Sequence, residues 1–279
     1  MVLWRCITPD GERIAGMAEG DIIRLSFFAG ILAVVAVWEI IAPRRPLTDS
    51  KARRWLANLC LAGVNTAATR FALPVLPVGM AAMAHDRGWG ILNTLPLPFP
   101  GKVILAVVTL DFVIYLQHVL FHHLPILWRL HRMHHTDLDV DVTTGNRFHP
   151  LEICISAGIK LAAVALLGAP AMAVVVFEVV LNATSQFNHG NIRIPLALDQ
   201  RMRLLVVTPD MHRVHHSIIP RETNSNFGFN LPWWDRLCGT YRPQPEEGHE
   251  GMTIGLKEFR DPARLTLLHL LLQPVVRKP

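Results

Sequence analysis

His131-x-x-His134-His135 and His212-x-x-His215-His216 repeat one pattern, and a third spacing, His118-x-x-x-His122, stands just upstream of both. Eight of the chain's 14 histidines fall in these three clusters. Residues three and four apart share one face of a helix, so each cluster projects two or three imidazoles in one direction. Neutral imidazole is the commonest protein ligand for Zn, Cu, Fe and Ni. The pattern therefore points to a polynuclear metal site. His189, in Gln186-Phe-Asn-His189-Gly-Asn191, follows the last long apolar run and is a ninth candidate ligand. His123 points about 100° further round a helix than His122, toward solvent or a neighbouring ring. His149, in Arg147-Phe-His149-Pro150, is left open between ligand and helix-entry residue. His85, His249 and His269 have no clustered partners and are assigned no metal role.

The chain lacks the His-Glu-x-x-His motif that supplies a zinc peptidase with its base, and lacks the Glu plus Glu-x-x-His set of ferritin-like bundles. Axial histidines of a membrane haem would sit deep in facing spans, whereas these lie at span ends and beyond. Eight or nine imidazoles are too many for one ion and suit two, with positions left for a small ligand. Only unprotonated rings bind, so the site should empty as pH falls. Asp111, Asp137, Asp141 and Asp210 are candidates to orient ring N–H groups, with surface acids as the plain alternative. Two other functions use the same ligands: a non-catalytic metal transporter or sensor, and a zinc-dependent membrane hydrolase.

The elements that position these residues are apolar. Hydrophobic residues make up 51% of the 279 and charged residues only 18%, which indicates an integral membrane protein once the apolar residues are seen to run together. The first run, Ile22–Ala42, carries no charge between Arg24 and Glu39. The second, Trp55–Val78, contains Arg70, Pro74 and Pro77, so its far end is expected to unwind, with Arg70 reaching the interface. Residues 81–100 read as a Gly/Pro-bearing loop, and Lys102–Leu124 as the third span. Leu151–Leu181 is read as a hairpin turning at Gly168-Ala-Pro170, with one tilted helix as the alternative. Ala263–Gln273 is a short apolar segment for the membrane surface or for packing on the histidine lobe.

The formal charge is +5, but the basic residues form no aromatic-interleaved stripe, which argues against nucleic acid. Arg44, Arg45, Lys51, Arg53 and Arg54 face only Asp49 between the first two runs, as expected of a cytoplasmic loop. With that loop inside, an even number of crossings in 151–181 brings every histidine cluster to the cytoplasmic face. The four cysteines (Cys6, Cys60, Cys154, Cys238) form no paired motif and read as small apolar fillers. The first run is too long for a cleavable leader and reads as a retained anchor. The expected fold is all-α: a membrane bundle of four to five crossings with a cytoplasmic helical cap. Residues 1–100 would hold two spans, 101–245 the catalytic domain, and 246–279 a tail with a short amphipathic helix.

The spaced histidines resemble the fatty acid hydroxylase superfamily, and specifically the bacterial sterol desaturase family. The likeness extends to Leu130-His-Arg-Met-His-His135, Arg147-Phe-His-Pro150, Thr208-Pro-Asp-Met-His-Arg-Val-His-His-Ser217 and Asn224-Ser-Asn-Phe-Gly-Phe-Asn-Leu-Pro-Trp-Trp-Asp235, and covers about residues 100–245. It implies a membrane-bound non-haem di-iron enzyme of the bacterial inner membrane, hydroxylating or desaturating an aliphatic C–H bond of a sterol or fatty acyl lipid with O2 and two electrons. The implied iron ligands are His118, His122, His131, His134, His135, His189, His212, His215 and His216. Ser185 stands where the family has a further histidine four residues before His189. The substrate would enter laterally between spans two to four, with Tyr115 on the His118 face either lining that cavity or packing. No cofactor-binding or iron–sulfur pattern is present in the sequence, so electrons would come from a separate ferredoxin, small cytochrome or reductase. Arg129, Arg132, Arg201, Arg203 and Arg213 are candidates to dock it, or are ordinary positive-inside charge.

Overall fold

The computed structural model describes residues 9–276, with side chains from residue 22 onward; Cys6 and the chain's first residues lie outside that range. The helices up to residue 188 are α1 (Pro9–Ile41), α2 (Lys51–Ala72), α3 (Pro77–Asp86), α4 (Ile91–Thr94), α5 (Phe99–His123), α6 (Pro125–His135), α7 (Pro150–Leu167) and α8 (Ala171–Asn188). They are followed by α9 (Leu196–Met202), α10 (Pro209–His215), α11 (Pro220–Thr223), α12 (Trp233–Leu237), α13 (Gly248–Gly251) and α14 (Leu267–Leu272). Among the described residues there is no strand, only isolated bridges at Pro43–Ile192 and Ser217–Ile254. Among the described residues, five segments are long and apolar enough to cross a membrane: Ile22–Ile41, Lys51–Thr94, Phe99–His123, Pro150–Leu167 and Ala171–Asn188. The all-α membrane bundle expected from the sequence is what the chain forms.

Proline placement explains most of the boundaries. Leu73 precedes Pro74 and is extended, so α2 stops at Ala72. Pro77, Pro125, Pro150 and Pro209 each stand in the first turn of a helix, where a missing N–H costs nothing. That is why residues 81–100 are not the expected loop. Pro77 starts a helix that packs against α7 and α8, where the small residue Ala81 joins Ala106, Leu110, Val174 and Phe177.

The 151–181 stretch is a hairpin and not one tilted helix. Gly168 adopts φ +65° and closes α7, donating to the Val164 carbonyl at 2.9 Å, and Pro170 caps α8. The hairpin tip touches the chain entering α4 so closely that a Cβ on Gly90 would lie 2.0 Å from the Gly168 nitrogen. α8 lies against α1 and α5, and α7 against α2.

At the opposite end of the bundle, the basic loop between α1 and α2 is clamped onto the chain that follows α6. Arg54 is buried and bonds Asp137 through Nε at 2.7 Å and Nη2 at 2.9 Å; its other amino group meets Asp141. Asp139 accepts from the backbone of Thr48 and Asp49, both at 2.8 Å. Glu39 accepts from the backbone of Val142 and Asn191. The loop therefore shares its end of the bundle with every histidine cluster. Much of its charge is bound internally, so it does more than flank a span. α14 settles on α2 and α6, where Leu265 and Leu270 join Ala57, Leu61 and Met133. The C-terminal apolar segment packs on the histidine lobe.

Candidate metal centre

Helix periodicity aims the clusters. α5 carries His118 and His122 one turn apart, α6 ends on His131, His134 and His135, and α10 carries His212 and His215 with His216 at its C-cap. His189 caps α8. The structure sorts these nine into two adjoining sets: His118, His122, His131, His135 and His215, and His134, His189, His212 and His216. Within each set one ring nitrogen per residue lies within 4.8 Å of all the others. His135 and His216 stack across the boundary with ring centroids 4.8 Å apart. Eight of the nine are buried; His122 is half-buried, with its Nε2 enclosed.

Hydrogen bonding fixes which nitrogen faces inward. Nδ1 donates to a backbone carbonyl in His118 (Phe227, 2.7 Å), His134 (Arg147, 3.3 Å), His189 (Ser185, 2.6 Å) and His215 (Ser225, 2.7 Å). In His131 it donates to Glu152, and in His122 to the side-chain oxygen of Asn224. A carbonyl can only accept, so each such ring carries its proton on Nδ1 and keeps a lone pair on Nε2. Those lone pairs converge. Nε2 of His118 lies 3.2 Å from Nε2 of His131, and Nε2 of His189 lies 3.2 Å and 3.1 Å from those of His134 and His212. His135 and His216 have no hydrogen-bond partner on either ring nitrogen.

Protonation does not relieve this crowding. Burial first, and then neighbouring imidazoles, hold His134, His135, His212 and His216 well below the ordinary histidine value. Burial likewise takes His189 down to about 4 and His215 to about 3. Neutral rings with facing lone pairs are what bound metal cations require, and imidazole-only donors suit iron and its neighbours in the first transition row.

The remaining sequence candidates lie elsewhere. His149 caps α7: its Nδ1 accepts from Leu151 N and its Nε2 meets the Leu271 carbonyl at 3.1 Å. His123 is exposed and bonds the Val119 carbonyl of its own helix. His85, His249 and His269 join neither set. None of the four proposed acids touches a clustered ring. Asp137 and Asp141 hold Arg54, Asp111 accepts from Trp234 Nε1 at 2.8 Å, and Asp210 pairs with Arg44 and Arg213. The carboxylate that does reach a ring is Glu152, 2.6 Å from His131 Nδ1. Its signal in the sequence was an acid in the first turn of an otherwise apolar span. Tyr115 packs: it is buried against Phe227 and bonds Thr240 at 2.9 Å. Of the five arginines proposed as a docking face, Arg132, Arg203 and Arg213 are buried in internal bonds, leaving Arg129 and Arg201 exposed.

A cavity of about 720 Å³ opens from the first histidine set into the bundle. His118, His131 and Glu152 line it, and α1, α2, α5, α7 and α8 supply most of its walls. Phe148 stacks on His134 at 4.5 Å and Phe227 lies edge-on to His118 and His215, so aromatic rings enclose the imidazoles.

A sequence model of the fatty acid hydroxylase family matches residues 103–240, a range that contains all nine clustered histidines. An ornithine lipid hydroxylase of Rhizobium tropici is 30% identical over 90% of this chain and 78% of its own length. The alkylglycerol monooxygenase of Homo sapiens is 29% identical over 64% of this chain, which spans 39% of that protein. A very-long-chain aldehyde decarbonylase of Oryza sativa is 25% identical over 69% of this chain and 31% of its own length. No solved structure matches the chain. With its histidine clusters on helices at one end of a membrane bundle and these relatives, the chain belongs to the fatty acid hydroxylase family.

Proposed function

We propose that the chain is a membrane lipid oxygenase in which the nine clustered histidines hold two iron ions and an aliphatic C–H bond is hydroxylated with O2 and two electrons. One observation carries this reading: two adjoining sets of enclosed imidazoles stand together, and His118 and His131 of the first set line a cavity inside an apolar bundle. The relatives' names support oxygen insertion into lipids over metal transport or hydrolysis. None of those quoted names a sterol, so of the sterol and fatty acyl lipids expected from the sequence the names favour the acyl or ether kind.

Iron bound by these rings would supply the oxidising power for C–H cleavage. The protein's own part is positional. His118, His122, His131, His135 and His215 would hold one ion, and His134, His189, His212 and His216 the other. The carbonyls of Phe227, Arg147, Ser185 and Ser225 hold the ring protons on Nδ1 and keep Nε2 available. The cavity brings one carbon of a lipid to the inner end, and Phe148, Phe227 and Phe229 keep water away. Electrons would arrive from a separate ferredoxin, small cytochrome or reductase on the cytoplasmic side of a bacterial inner membrane.

The test uses full-length protein purified without chelator. Elemental analysis is expected to find about two irons per chain. Incubation with membrane lipids, reductant and isotopically labelled O2 is expected to yield a lipid carrying one labelled oxygen. Iron-free protein, or turnover that proceeds without O2, would overturn the reading.

A further inference from the structure

Charged side chains stand well inside the bundle, on the cavity wall remote from the histidines. Lys160 lies ten residues along α7 from Pro150, and Glu178 ten residues along α8 from Asn188, each about 15 Å from the histidine end. Lys160 Nζ lies 3.2 Å from Glu178 Oε1, and Arg24 of α1 bonds the other carboxylate oxygen. All three line the cavity, with side-chain exposures of 16%, 10% and 20%. Thr66 of α2 and Asn182 of α8 add neutral polar groups to the cavity lining.

Ionisable groups at this depth are costly; where they persist they pair with one another and face the interior or a cavity, and they commonly mark a ligand or ion path. A bare hydrocarbon tail would strip water from these charges and return nothing. Holding α1 in place does not demand them, because Ile31, Leu32 and Val35 already seat it against Phe187 and Ile192. On the oxygenase reading above, we propose that this wall is a headgroup subsite, and that the lipid oxidised is an amphiphile bearing an anionic group, carboxylate or phosphate, bound by Lys160 and Arg24. Glu178 holds the two cations side by side. Eight residues of α7, about 12 Å, separate Lys160 from Glu152 beside His131. The carbon oxidised therefore lies at least that far along the molecule from the anionic group.

The test measures binding to full-length, chelator-stripped protein in neutral detergent, so it does not depend on turnover. The probes are a dihexanoyl phosphatidate, an N-decanoyl glycine and the uncharged dihexanoylglycerol, read by calorimetry. At least one anionic probe is expected to bind about tenfold tighter than the neutral one. The stronger of the two identifies phosphate or carboxylate as the natural group. Lys160→Met should erase that preference, while Glu178→Gln, which removes the negative charge the two cations share, should keep or increase it. A purely structural ion pair would instead weaken both variants together, with lower melting temperatures and no change in preference. That outcome, or equal affinity for charged and neutral probes, overturns the subsite. Absence of iron in the native protein would overturn the oxygenase reading and leave this binding result standing.

Discussion

Glu152 Oε1 lies 2.6 Å from His131 Nδ1, and among the described residues it is the one carboxylate that meets a clustered imidazole. A carboxylate there fixes the tautomer and makes the inward nitrogen a stronger donor than a carbonyl partner would. Glu152→Ala should lower metal affinity or turnover about 10- to 100-fold. Glu152→Gln, whose side-chain oxygen can still accept the proton, should fall between that variant and the native protein. Metal content by elemental analysis, read beside turnover, checks the order. Equal metal content in all three proteins would show that Glu152 does not support the His131 ligand.

The two sets differ in size, and that makes single substitutions unequal. Removing His122 leaves four imidazoles in its set, whereas removing His189 leaves three in the other. His189→Ala is therefore expected to lose about one of two ions, and His122→Ala to keep both with weaker binding at one site. His134→Ala should resemble His189→Ala, with membrane insertion intact, because no span depends on either ring. Elemental analysis of the three variants distinguishes this division from a single shared pool, which would empty alike in all of them.

The clustering of the histidines was legible because helical spacing is written in the sequence: His118 and His122, or His212 and His215, share a face wherever the helix goes. The hairpin at Gly168 was equally local, a glycine that accepts positive φ followed by a proline. What escaped notice was long-range. Glu152 reaches His131 across 21 residues, and Asp137 and Asp141 turn to Arg54 more than 80 residues earlier. No periodicity reports such pairings. Arg54 read as a topological flag because a basic residue before a span has the same composition whether it faces solvent or a buried aspartate.

Arg54 offers a test of that clamp. Burial alone would raise the Asp137 carboxyl, but Arg54 and then Arg147 outweigh it and hold it down at about 2. Arg54→Met leaves Asp137 and Asp141 buried without their main partner, a loss of about 3–5 kcal/mol for breaking a buried pair from one side. The melting temperature in detergent should fall clearly, and iron loading should fall with it, since the loop after α6 begins one residue past His135. Unchanged melting would mean that the loop is held by its backbone bonds to Glu39 instead.

The pH dependence separates the histidines from this clamp. In the unfolded chain each imidazole binds a proton near pH 6.5, whereas His189 folded does so only at about 4 and His215 at about 3, burial being the first cause in both. Between those values the unfolded state holds more protons, so stability of the metal-free protein rises with pH and is lost as pH falls below about 6.5. Each histidine contributes about 1.4 kcal/mol per pH unit across that window. Asp137 acts in the same direction but lower, from its unfolded value near 3.8 down to about 2, so it is silent above pH 5. Melting temperatures of chelator-stripped protein should therefore drop steeply from pH 7 to pH 5, with Asp137 still fully ionised. Metal competes with those protons, so the iron-loaded protein should hold its melting temperature to lower pH. A flat profile for the stripped protein across that range would contradict the burial of neutral imidazoles on which the ligand assignment stands.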